Sequence, residues 1–130
     1  MLWRKALRYW TSILVVCAIT YVSLLREVHV SLPPIEGIDK WAHGLMYMVL
    51  AVVLLWDSQK AGVVQAAKWV LALAFPIIYG GLIEILQEQY FFPRTGDWMD
   101  WIADCIGTGM GVLIWIIGEK IHVFFTSFSR

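Results

Sequence analysis

Asp39, His43 and Tyr47 stand at i, i+4 and i+8, a spacing that aligns their side chains along one helix face. Gly80, Glu84 and Gln87 follow at i, i+4 and i+7, and Asp100, Asp104, Gly107 and Gly111 at i, i+4, i+7 and i+11. Arg94 is the one basic residue amid Glu88, Asp97 and Asp100. An imidazole among carboxylates can move protons or hold a divalent cation. An arginine can grip phosphate or carboxylate through two hydrogen bonds. Local readings compete: Asp39 suits a helix N-cap with His43 paired to it, and Glu84 can snorkel toward an interface. The chain contains no HExxH, GxSxG or clustered two-histidine spacing, so no motif assigns a reaction or names a cofactor. Whether a metal binds stays open on the sequence.

The elements that must carry these residues are unusually apolar. Of 130 residues, 60% are hydrophobic and only 15% charged, and the mean hydropathy is +0.70. A domain of this length cannot hide so much apolar surface from water, which argues against a soluble fold. Four runs stand out, at residues 9–25, 41–56, 69–86 and 102–117. Each is at the short end of what a bilayer span needs, and flanking turns can lengthen it. None alternates as a barrel strand would, so helices are the expected form. The fold expected is all-α: one domain over residues 1–130, an integral membrane bundle of four transmembrane helices. Trp10, Trp41, Trp56, Trp69, Trp101 and Trp115 lie at or near run ends, where indole rings favour the headgroup level. Pro76 falls inside the third run, where it would free a carbonyl and kink the helix. Cys17 and Cys105 both fall in apolar runs and read as small hydrophobic residues.

Basic residues set the expected orientation. Arg4, Lys5 and Arg8 resemble the basic start of a signal peptide, but the following run is long and lacks a small-residue cleavage site, so it reads as a retained span. With four spans, Arg4, Lys5, Arg8, Lys60, Lys68, Lys120 and Arg130 share one side, and Arg26, Lys40 and Arg94 the other. Seven against three places both termini in the cytoplasm of a multi-pass cell-membrane protein. Asp39, His43, Glu84, Gln87, Arg94, Asp100 and Asp104 then meet at the outer end, whereas Asp57 and Glu119 are almost the only acidic residues at the inner end. A carboxylate inside a span is costly and normally faces the bundle interior. Gly107 and Gly111 form a small-xxx-small pair that lets another helix approach closely, carrying Asp100 and Asp104 inward with it.

These residues resemble the VanZ-like family of small bacterial membrane proteins. The resemblance rests on Asp39-Lys40-x-x-His43-x-x-x-Tyr47, on Glu84-x-x-Gln87, on Arg94 and Asp100, and on the spaced Gly107 and Gly111. One position departs: Asp104 stands where the family commonly has asparagine. The resemblance implies a multi-span envelope protein, in a family with members linked to tolerance of teicoplanin-type lipoglycopeptides. The favoured reading is a non-enzymatic protein that binds membrane lipid, a lipid-linked envelope precursor or a lipoglycopeptide. In it Arg94 and His43 contact phosphate or carboxylate, while Glu84 and Asp100 orient them. A metal- or acid–base-dependent enzyme acting on a lipid-linked substrate is the alternative, and a proton-coupled carrier titrating through Glu84 a third reading. Balanced charge, ten basic against ten acidic residues, argues against nucleic acid as a partner. Homo-oligomerisation is left open.

Overall fold

The computed structural model describes residues 7–25, 37–91 and 95–128. These residues fold into four helical segments, with no strand among them. The first is α1 (Trp10–Thr20), preceded by a 3-10 turn at Leu7–Tyr9 and followed by a wider π-type turn at Tyr21–Leu25. It is followed by α2 (Ile38–Lys60), α3 (Gln65–Tyr90) and α4 (Trp98–Phe128). All four segments are long and apolar enough to cross a membrane. Each of the last three outruns its apolar stretch at both ends, because the flanking residues continue the helical hydrogen bonding. Their 23, 26 and 31 residues correspond to about 35, 39 and 46 Å at the usual rise per residue. Pro76 lies buried inside α3 without ending it.

The α2–α3 turn has a specific local cause. Gly62 adopts φ +69°, a left-handed conformation that glycine takes without a side-chain clash. The Gly62 N–H donates to the Gln59 carbonyl (3.1 Å) and the Val63 N–H to the Ser58 carbonyl (3.0 Å), the paired bonds of a Schellman termination. Tight reversal makes α2 and α3 antiparallel neighbours. Cross-helix pairs give the remaining directions. Lys40 meets Asp97, His43 meets Asp104 and Trp56 meets Trp115, so α2 and α4 run parallel. Thr20 meets Tyr79 and Ser23 meets Gln87, so α1 and α3 do too. The bundle is therefore up-down-up-down.

Its interior is polar and its surface apolar. Among the described residues, buried polar or charged side chains outnumber buried hydrophobic ones, 11 to 8. Trp41, Leu45, Val70, Ile78, Ile106 and Leu113 are exposed. This reverses the arrangement of a protein folded in water. A small apolar core of Ile19, Tyr47, Leu50 and Leu54 separates polar layers at the two ends.

At the end away from the site residues, Asp57 Oδ2 accepts from the backbone N–H of Ser12 (2.9 Å) and from its hydroxyl (2.8 Å). Ser12 lies in the first turn of α1, so Asp57 supplies from another helix the cap that α1 lacks locally. The Lys68 ammonium lies 3.2 Å from Glu119 and packs over Trp69 and Trp115. The sparse acidic residues expected at this end are therefore engaged structurally.

Glycine sets how closely α2 and α4 approach. A Cβ on Gly107 would fall on the Gly44 peptide, and one on Gly111 would lie 2.5 Å from the Met48 carbonyl oxygen. Gly109 faces open space. Gly107→Leu is expected to force the helices apart and cost at least the roughly 1–3 kcal/mol typical of overpacking. Gly109→Leu should be tolerated. Thermal unfolding in detergent checks this: equal midpoints for the two variants would contradict the close contact.

Candidate functional site

Close contact between α2 and α4 brings their polar stripes together, and α3 closes the third side. His43 is the centre. Its Nδ1 lies 3.0 Å from Asp104 Oδ1 on α4 and 4.0 Å from Glu84 Oε1 on α3. Nε2 lies 3.9 Å from Asp100 Oδ2, one turn before Asp104. All four side chains are at most 10% exposed. The i, i+4 spacing on α4 thus places one carboxylate against each ring nitrogen. Two overlapping donor sets result, Asp39–His43–Asp100 and His43–Glu84–Asp104, each with its ligand atoms within 4.8 Å of one another.

Several groups here are held by the protein and several are not. Glu84 Oε2 accepts from the Asp97 backbone N–H at 2.8 Å, which ties the end of α3 to the start of α4. Glu84 Oε1, Asp104 Oδ2 and Tyr47 Oη are buried with no hydrogen-bond partner among the described residues. Such groups are costly unless something satisfies them. Tyr47 is 1% exposed, and its ring lies beside Tyr79 with centroids 6.1 Å apart.

Other site residues expected from sequence take different roles. Gln87 shares the buried face of α3, but its Nε2 donates to the Ser23 carbonyl at 2.8 Å; it braces α1 rather than joining His43. Lys40 forms ion pairs with Asp97 (3.1 Å) and Asp100 (3.4 Å). Asp39 is exposed in the first turn of α2, and the N-cap position belongs to Gly37, with φ +83°. The N-cap reading of Asp39 is thereby corrected, since the chain enters α2 through a left-handed residue. Gly107 and Gly111 form the α2–α4 seam. Arg94, expected to contact phosphate or carboxylate, lies outside the described residues.

Asp97 is the residue that sequence reasoning passed over. It precedes α4, its carbonyl accepts from Asp100 and Trp101, and its Oδ1 accepts from the Met99 N–H at 2.8 Å. That is N-cap geometry. The signal was an aspartate preceded by glycine, five residues ahead of the fourth apolar run.

The chain matches no family model, no curated protein and no solved structure. What fold and site define together is an all-helical protein with four apolar helices of membrane-crossing length. Three of them enclose a histidine–carboxylate cluster at one end of the bundle.

Asp97 carries a pH dependence. The Met99 N–H and then the Lys40 ammonium hold its carboxyl below the usual aspartate range. A depressed folded-state value stabilises the protein above the unfolded aspartate pKa of about 3.9, and that stabilisation is lost as pH falls through the folded value. Asp97→Asn keeps an acceptor for Met99 but removes the titration. Its melting temperature in detergent should be below wild type at pH 6, and the gap should shrink by pH 3. A gap unchanged between those two pH values would exclude the assignment.

Proposed function

We propose that this chain is a multi-pass protein of the bacterial cell membrane, similar to the VanZ-like family, that binds an amphipathic cell-envelope component at the outer end of its bundle. The observation that carries this reading is a buried polar cluster lying against an apolar groove on the same helix pair. A cavity of about 330 Å³ lies between α2 and α4, with Lys40 at its polar end and Trp41, Leu45, Met48, Ile106 and Met110 along its walls. An acyl or isoprenoid chain suits such walls, and an ammonium at the mouth suits a phosphate. Lys40 is 41% exposed at its side chain, so it can face a headgroup while it neutralises Asp97 and Asp100. Membrane lipid and a lipid-linked envelope precursor have both features, and a lipoglycopeptide pairs an acyl chain with a carboxylate in place of the phosphate; that third ligand is the one that would tie the site to lipoglycopeptide tolerance.

A second reading has its own support. His43, held by Asp104 and faced by Asp100, has the arrangement of a general acid–base group, so an enzyme acting on a lipid-linked substrate uses the same cluster.

Native mass spectrometry from gentle detergent tests binding, with phosphatidylglycerol and a polyprenyl diphosphate as probes. Lys40→Gln should weaken both about fivefold, the effect of roughly 1 kcal/mol for one cation at a lipid headgroup. Ile106→Trp should exclude the chain from the groove. Retention equal to wild type in both variants would sink the reading, whereas turnover of the diphosphate would favour the enzyme.

Orientation is tested by cysteine labelling in variants lacking Cys17 and Cys105. Gln89→Cys, exposed near the site end, should react with an impermeant reagent applied outside intact cells. Ala61→Cys, in the α2–α3 turn, should react only after permeabilisation. The opposite pattern would invert the orientation.

A further inference from the structure

His43, Glu84 and Asp104 come from three different helices, yet all are buried and point at one another. Asp104 is fully buried and Glu84 is 3% exposed. Among the described residues no lysine or arginine pairs with either carboxylate, because Lys40 serves Asp97 and Asp100, and Lys68 serves Glu119 at the far end. Two carboxylates are thus left to share one imidazole, and buried negative charge without a counter-ion is expensive. Among the described residues, Glu84 Oε1 and Asp104 Oδ2 accept no hydrogen bond, and the hydroxyl of Tyr47 beside them has no partner. These unmatched oxygens call for an added positive charge with several coordination positions.

We propose that His43 Nδ1, Glu84 and Asp104 bind one divalent transition-metal ion of mixed nitrogen–oxygen preference, Mn²⁺ or Zn²⁺. Donors held about 2.0–2.2 Å from such an ion stand about 2.8–3.6 Å from one another. Here Nδ1 is already 3.0 Å from Asp104 Oδ1 and 4.0 Å from Glu84 Oε1, and no pair of donors in the set exceeds 4.8 Å. Closure therefore needs side-chain shifts of about an ångström or less rather than helix movement. Two carboxylates and a neutral imidazole cancel a 2+ charge, so the loaded site carries no net charge into the bundle. The imidazole nitrogen selects against Mg²⁺ and Ca²⁺, which prefer all-oxygen shells. Asp100 faces Nε2 at 3.9 Å, beyond hydrogen-bond distance; on metal binding a shift of under an ångström would let it accept the other ring N–H as a positioning residue and leave Nδ1 free to ligate. Gly80 belongs to the same design: a Cβ there would lie 2.7 Å from Asp104 Oδ2. The site uses the cluster of the proposed lipid pocket but rests only on its donors, whatever occupies the groove.

The test is Mn²⁺ binding to the metal-stripped full chain in detergent, by equilibrium dialysis with elemental analysis and by pulsed EPR. One Mn²⁺ per chain is expected, displaced by Zn²⁺ and not by equimolar Mg²⁺, with a coupling from one histidine nitrogen. His43→Gln and Asp104→Asn should each weaken binding at least tenfold. Asp100→Asn should do so less, and Glu119→Gln, at the opposite end, should match wild type. Helicity and gel-filtration profiles identify variants that misfold, and the nitrogen coupling in wild type decides the matter without any variant. Absence of stoichiometric Mn²⁺ and Zn²⁺, or a bound ion with no nitrogen coupling, overturns the proposal. Lipid retention measured on the same preparations separates this failure from failure of the lipid reading: lipid without metal rejects the metal site alone, and metal without lipid rejects the groove alone.

Discussion

An imidazole and a carboxylate meet 3.0 Å apart, fully enclosed by helices, where His43 faces Asp104. Ionisable groups in such a setting are tolerated only if their hydrogen bonds and charge are matched locally. Much of the architecture follows from bringing these two together. Gly107 lies against the Gly44 peptide one turn along, and Gly111 against Met48 one turn further. A larger residue at either point would widen the seam and separate the pair. Gly80 does the same on α3, leaving room for Asp104 and Tyr47. Polar chemistry and small-residue packing are thus one feature, because the carboxylates reach the interior only on a helix face that can approach closely.

Beyond the local caps at Gly62 and Asp97, helix ends in this bundle are braced by other helices. Asp57 of α2 accepts from the first turn of α1, Glu84 of α3 accepts from the residue that caps α4, and Gln87 of α3 donates to the Ser23 carbonyl after α1. Hydrogen bonds to charged groups contribute roughly 1.5–3 kcal/mol each. Such bonds also fix register, since sliding a helix by one residue would break several at once. This bears on function: Glu84 spends one oxygen on positioning α4 and presents the other to His43. A single carboxylate therefore links the site to the alignment of its walls.

The polar interior and apolar exterior have a consequence for how the protein meets its surroundings. The groove between α2 and α4 opens on the apolar face, while the cluster lies on the inner side of the same helices. On the proposed reading, one molecule with an apolar chain and a polar head would occupy both surfaces at once. Lys40 stands where the two meet, with Asp97 and Asp100 on one side and the groove on the other.

Composition and periodicity alone determined that the chain forms apolar helices of membrane-crossing length, and which face of the last three is polar. Helical spacing is a local property, so Asp39–His43–Tyr47, Glu84–Gln87 and Asp100–Asp104–Gly107–Gly111 were legible as stripes before any packing was known. Helix ends were legible only in part, because flanking residues such as Asp39, Lys60, Gln65 and Trp98 to Asp100 continue the helix beyond its apolar run. Partner choice was not legible. Nothing local says that Lys40 pairs with Asp97 and Asp100, that Gln87 turns to Ser23 rather than to His43, or that Asp57 reaches back across 45 residues to cap α1. Those contacts depend on which helices are neighbours, on their relative direction and on their offset along the axis. Only the packed bundle sets these three quantities, because each is a compromise among all the seams at once, whereas a stripe depends on one helix alone.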